Sequence, residues 1–367
     1  MRFTVLLIIS VFISIKVEAQ MKGYGVEPFG GMHYAANVIY KTGANMNGYC
    51  GGIDLKFFPN QKRPNLFNDQ YHNPDFSLNI RLCKLNNTDT FGFSIAIFPQ
   101  IDIPIKKNSN YCLSAKIGYG LNFNTEQYDF HKNFDNRAIV SPLNFALDAG
   151  LILNYRLNSS NEIGISGGLY HVSNGSLKMP NGGINVVYTG LSYRHHFEKY
   201  LDFKYKPIIK NKAYESKFIY TIYLASGYRE IAYFTSTKSF WVGSLNQQFT
   251  RKISRLYQLG ITSDIFYDAS PAIWENSLRS LISIQTREKL HAGLGFYQQF
   301  DIGRFFLPFS ANFYLTKVSR PFYIKFGLGY QLSPKWRIGS FFKGGIKNGS
   351  KLDSDFMEWS LGYSINR

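Results

Sequence analysis

Residues 145–175 read FALDAGLILNYRLNSSNEIGISGGLYHVSNG. The segment divides into two strand-length runs, 145–156 and 161–173. They are joined by Leu157-Asn158-Ser159-Ser160, a composition that favours a tight turn. At period two the second run places Ile163, Ile165, Gly167, Leu169, His171 and Ser173 on one face. Gly164, Ser166, Gly168, Tyr170 and Val172 take the other. The first face is aliphatic and the second is small and aromatic. A strand of a membrane barrel divides itself in this way between lipid and lumen.

The same grammar runs outward in both directions. Strands of about ten to fourteen residues are expected near 23–33, 46–58, 75–85, 89–101, 111–122, 145–156, 161–173 and 184–196. A second series is expected near 216–228, 236–250, 254–267, 287–299, 304–315, 321–332, 335–347 and 354–366. Leu157–Ser160 and Leu332-Ser333-Pro334 read as tight turns on the periplasmic side. Residues 123–144 and 268–286 read as longer outer loops, each with a helical turn. The fold class is therefore all-β, a transmembrane antiparallel β-barrel of about 16 strands. One large barrel and two eight-stranded units both satisfy the pattern. The basic stretch 198–214 is long for a periplasmic turn and favours two units, 20–197 and 215–367. Tandem barrels in one chain are unusual, which favours one barrel. A weak internal repeat relates 145–175 to 322–349, although all barrel hairpins share this outline.

Composition excludes the main competitors. Of 367 residues only 18% are charged, while 17% are aromatic and 32 are glycine. Disordered chains are poorer in aromatics, and coiled coils are rich in Ala, Glu, Lys and Leu. Three scattered cysteines, Cys50, Cys83 and Cys112, allow at most one disulfide and lack metal-ligand spacing. The leader has Arg2, then an apolar run from Phe3 to Ile15, then Val17-Glu18-Ala19. It reads as a secretory signal peptide, 1–19, cut after Ala19. Beyond residue 20 no apolar stretch approaches the length of a membrane helix. Export without such a helix suits a closed barrel, which pairs every backbone group internally.

The chemistry concentrates in one hairpin. His171 and Ser173 share the lipid side at the end of a strand, close enough for imidazole and hydroxyl to meet. If the hairpin is symmetric about Met179, Ser173 stands opposite Asn185 and His171 opposite Val187. A nucleophile, a base and an orienting group in contact is the logic of acyl transfer. On a lipid-facing wall it suits a substrate that is itself a lipid. A His-x-Ser pair alone is common, and a polar pair at the interface also suits contact with headgroups.

The longer segment 171–185, HVSNGSLKMPNGGIN, resembles the active-site segment of the PagL-type lipid A 3-O-deacylases. His171, Ser173, Asn174, Leu177, Lys178, Pro180, Asn181, Gly183 and Ile184 fall at matching spacing. The tail 354–363, SDFMEWSLGY, looks like the last strand of the related acyloxyacyl hydrolases. The resemblance implies an outer-membrane serine esterase that removes an ester-linked acyl chain from lipid A. It implies Ser173 as nucleophile and His171 as general base. Asn174 and nearby backbone groups, Gly175 among them, would hold the oxyanion, and Asn181 would support the loop. The family acid falls at Asn185, an amide, which can orient the imidazole but brings no charge. No cofactor is implied.

The net charge of +17 fits a phosphorylated substrate such as lipopolysaccharide, with Lys178 placed to meet a phosphate. Nucleic acid is the other common partner of a basic chain, but no nucleic-acid motif is present. Other readings of the barrel are a passive porin or transporter, and a catalytically inactive structural barrel. The second half has no His-x-Ser motif, so one active site is expected. The sequence leaves the oligomeric state open.

Overall fold

In a computed structural model the described residues are 21–35, 47–59, 71–197, 217–232, 237–254, 256–269, 289–316, 321–347 and 351–366. The expected signal peptide and the basic stretch 198–214 lie outside them. Sixteen antiparallel strands form two closed barrels of eight, in sequence order. The first comprises β1 Met21–Ala35, β2 Gly48–Pro59, β3 Asp75–Lys84, β4 Phe93–Lys107, β5 Tyr111–Asn124, β6 Leu143–Arg156, β7 Asn161–Ser173 and β8 Ile184–His196. The second comprises β9 Phe218–Ala232, β10 Thr237–Lys252, β11 Tyr257–Asp268, β12 Leu290–Ile302, β13 Phe305–Tyr314, β14 Phe322–Gln331, β15 Trp336–Lys347 and β16 Lys351–Asn366. Of the two architectures the sequence permits, the chain adopts two eight-stranded units.

Closure removes sheet edges. Strand β1 pairs with β8, from Gly23 opposite His196 to Ala35 opposite Ile184. Strand β9 pairs with β16, from Tyr228 opposite Met357 to Ile219 opposite Asn366. The two repeat segments, β6–β7 and β14–β15, are strands six and seven of their respective barrels, as a duplication requires.

The period-two reading of β7 holds. Ile165 and Leu169 are 55% and 59% exposed, while Tyr170 and Val172 are buried inside. This outward apolar face suits hydrocarbon, and the inward polar face avoids it. Rings gather toward the strand ends. Tyr24 packs on His195 and Phe197, and Trp336 on Tyr363, near the short turns. Trp241 packs on Tyr267 near the opposite end.

An eight-stranded barrel is just wide enough for its own side chains, and both lumens are filled. In the first, the Arg81 fork meets both oxygens of Asp54 at 2.7 Å and Asp148 at 2.9 Å. Its guanidinium lies among the rings of Phe29, Phe98, Tyr170 and Tyr188. Glu27 takes hydrogen bonds from Lys56, Lys116 and Ser166. In the second, Lys325 bridges Asp264 and Glu358. These buried charges sit beside opposite partners, the condition under which ions persist away from water.

Three local expectations are corrected. The strand expected at 89–101 begins later, because Thr88–Phe91 is a single helical turn, α1. Asn87, left-handed at φ 55°, caps it by accepting the Thr90 N–H, and Gly92 at φ 63° ends it. The strand then runs on to Lys107. The loop after β5 carries turns and an Asp129–Asn133 bridge where a helical turn was expected. Most of 268–286 lies outside the described residues. Finally, the β7–β8 register places His171 opposite Asn185 and Leu169 opposite Val187. The loop is asymmetric: Gly175, Ser176 and Gly183 all have positive φ, and β8 resumes immediately after Gly183.

Candidate active site

Strand β7 ends at Ser173, and residues 174–183 carry the chain over to β8. His171 and Asn185 project from adjacent strands at the same height on the outer wall. The imidazole Nδ1 is 2.7 Å from Asn185 Oδ1, and Nε2 is 3.1 Å from Ser173 Oγ. The amide oxygen only accepts, so Nδ1 carries the proton and Nε2 is left to accept from the serine hydroxyl. Ser173 is 8% exposed and Asn185 stands open on the outer face.

The loop is braced from within. Asn181 Oδ1 accepts the Asn174 backbone N–H at 3.3 Å, and the Asn174 amide donates to the Lys178 carbonyl at 3.1 Å. The Gly175 N–H points at Ser173 Oγ at 3.4 Å. The Lys178 side chain is exposed. Of the seven residues singled out in the sequence, His171, Ser173 and Asn185 form one hydrogen-bonded row. Asn174, Gly175 and Asn181 form the turn beside it, and Lys178 lies on its outer side.

A second tier of support comes from residues 125–142. The backbone N–H groups of Gly182 and Gly183 donate to the carbonyls of Arg137 and Ala138, both at 3.0 Å. That loop is in turn tied to α1, because the Asn133 and Asn136 amides both donate to the Thr90 carbonyl. At its tip the Asp129 carboxylate accepts the backbone N–H groups of Lys132 and His131, which lower its pKa.

The second barrel also touches the site, which the sequence reading did not foresee. The Glu230 carboxylate on β9 accepts the Met179 N–H, and the Glu230 N–H donates to the Ser176 carbonyl. Gly175 sits so close to β15 and β16 that a Cβ there would lie 2.9 Å from the Phe342 ring and 3.1 Å from Met357 Cβ. Phe145 meets Phe342 edge-on, with centroids 6.1 Å apart. His171 and Ser173 open onto an apolar crevice between the two barrels. No local pattern marks such residues in the sequence. Phe342 reads like any other outward aromatic, and Glu230 like any strand-end carboxylate.

Comparison with known proteins adds the following. A search of the curated proteins returns no match. Solved structures with similarity include two mutants of the Rh. blastica porin. One is 8% identical, over 94% of this chain and 100% of that one, with a TM-score of 0.22. The other is 10% identical, over 95% and 100%, with a TM-score of 0.21. Scores this low support no inference. Family models are more informative. The model described as lipid A 3-O-deacylase (PagL) matches residues 63–194, which include the whole His171–Asn185 segment. The model described as the C-terminal domain of acyloxyacyl hydrolase matches residues 218–367, the second barrel. With the two models spanning most of the chain, each on one barrel, the protein belongs to the PagL lipid A 3-O-deacylase and acyloxyacyl hydrolase family of outer-membrane β-barrel hydrolases.

Proposed function

We propose that the protein is a serine esterase of the Gram-negative outer membrane that removes one ester-linked acyl chain from lipid A. The observation that carries this reading is the unbroken hydrogen-bonded row Ser173–His171–Asn185 on a lipid-facing wall. Ser173 Oγ attacks the ester carbonyl carbon while His171 Nε2 takes its proton. The Gly175 N–H, which points at Ser173 Oγ, and the Asn174 amide are the donors assigned to the oxyanion in this reading. As the bond between the acyl carbon and the ester oxygen breaks, His171 returns the proton to that leaving oxygen. Water then attacks the acyl-enzyme, His171 again acting as base, and a fatty acid departs with Ser173 restored.

Asn185 fixes the tautomer this sequence needs. It supplies no charge to stabilise the transient imidazolium, so the enzyme runs on orientation alone. Lys178, exposed beside the site, is suited to a lipid A phosphate. The chain divides into a catalytic unit, 20–197, and a second unit, 215–367, joined by the basic stretch 198–214 and preceded by a cleaved leader. The transport reading has less support, because both lumens are packed with paired side chains.

The test is mass spectrometry of lipid A after incubation with the detergent-folded protein, beside Ser173→Ala. Loss of one acyl chain with the native protein only is the expected result. Equal loss in both, or loss in neither, would remove the esterase reading. An unchanged mass with native protein and a lost chain with Asn185→Asp would favour the inactive-barrel alternative instead.

A further inference from the structure

The crevice between the barrels has a volume of about 190 Å³ and apolar walls, and Ser173 and His171 stand at one end of it. Its wall on the first barrel descends across the strands. It passes from Phe145 and Leu147 on β6, beside Ser173 and His171, through Ile117 and Ile101 to Phe76 on β3. Following the ladders from Ser173 leads through Phe145, Leu121 and Ile97 to Ile80. Phe76 lies four residues below Ile80, roughly 13 Å toward the periplasmic end. The facing wall descends in step. Phe342 and Phe326 pair at the upper level, Leu328 and Leu307 lie below them, and Phe305 and Ile302 are lowest. Two walls from different halves of the chain therefore frame one apolar channel, leading from the nucleophile toward the membrane interior.

We propose that this crevice is the acyl-chain site, and that the second barrel sets the length of chain removed through Phe326, Leu328 and Leu307. The inference rests on the esterase reading, since it needs Ser173 as the point where the chain's carbonyl is held. Its logic is chemical. An ester presented to Ser173 must place its hydrocarbon tail somewhere, and the channel that begins at Ser173 is apolar and open to lipid. Burying methylenes against Phe326 and Leu328 removes them from competition with bulk lipid by shape, so fit to the channel decides which chain is accepted. This gives the second barrel, which lacks a His-x-Ser motif, a part in the reaction.

The experiment uses the full chain in detergent with p-nitrophenyl butyrate and p-nitrophenyl palmitate as probes. Leu328→Trp fills the channel from the second barrel, on an outward position that leaves the lumen untouched. The expected result is a fall in kcat/KM of about tenfold or more for palmitate, with butyrate held within about twofold. Leu307→Ala, which widens the lower end, should leave butyrate unchanged and alter the preference among long chains. An unchanged palmitate-to-butyrate ratio in Leu328→Trp, with Ser173→Ala inactive on both, would overturn the channel while leaving the esterase intact. A second readout is independent of turnover. Palmitic acid carrying a diazirine near its methyl end is photolysed on the protein and the labelled peptides are identified. Label on β13 or β14 together with β3 or β4 is expected. Label spread evenly around both barrels would mean ordinary annular lipid and would overturn the proposal even if the native protein hydrolysed neither ester.

Discussion

His171 faces Asn185 directly across the β7–β8 ladder, with Nδ1 2.7 Å from Oδ1. A one-residue slip of that register would turn one of the pair into the lumen. The pairing is thus set by the asymmetric loop that follows Ser173, and it makes Asn185 the residue on which the imidazole's orientation depends. Asn185→Ala should lower kcat roughly tenfold to a hundredfold, the range for losing a hydrogen bond that orients a base. Asn185→Asp keeps the acceptor and adds a charge that stabilises imidazolium, so kcat should rise above the native value. Initial-rate kinetics on p-nitrophenyl butyrate measure both, and a faster Ala variant would contradict the orienting role.

Gly183 adopts φ 69°, and a Cβ there would lie 3.0 Å from His171 Cε1 and 3.2 Å from the Val172 carbonyl oxygen. Gly183→Ala therefore meets two penalties. The backbone strain is about 1 kcal/mol or more, and the methyl presses on the ring that must stay aligned with Ser173. Activity should fall at least about tenfold while the barrel keeps its heat-dependent shift in gel mobility. If the variant retained full activity, the close approach of Gly183 to the imidazole would have no catalytic consequence.

Glu230 reaches from the second barrel to the Met179 N–H. Glu230→Ala leaves that N–H without its acceptor and loosens the turn that carries Asn174 and Gly175, so kcat should fall several-fold. Glu230→Gln retains a carbonyl oxygen at the same length and should recover most of the loss. Failure of Gln to rescue would assign the effect to charge instead of loop position.

The barrel itself was legible because a lipid-facing strand has a strict period of two and a strict length. Ile163, Ile165 and Leu169 declare one face, while Ser166 and Tyr170 declare the other. The same physics hid the partnership between barrels. An outward Phe326 or Leu328 has the same chemistry whether it meets lipid or a neighbouring barrel, so nothing local distinguishes them. Loop conformation was legible only where a motif fixed it. Asn87 and Gly92 set α1 through positive φ values, which period-two patterning does not register. The register of the β7–β8 hairpin was missed by two residues for the same reason. Three left-handed residues in one turn shift the pairing without changing which face His171 occupies.

The lumen offers the last prediction. Arg81 holds Asp54 and Asp148 at 2.7–2.9 Å, and the Tyr188 hydroxyl donates to Asp148 at 2.8 Å. All of these side chains are buried. Arg81→Met conserves much of the volume but strands two carboxylates beside Phe98 and Tyr170, leaving Asp148 with Tyr188 and, at 4.0 Å, Lys116. Breaking a buried pair in this way costs about 3–5 kcal/mol, a large share of a domain's net stability. The urea midpoint of the detergent-folded protein should drop sharply, and the kinetics of the residual folded fraction should stay native, because Arg81 is on the inner face and the esterase row is on the outer. Arg81→Met combined with Asp54→Asn and Asp148→Asn removes the stranded charges and should recover part of the loss. A triple variant no more stable than the single one would indicate that the rings around the guanidinium, and not its ion pairs, hold this layer of the barrel together.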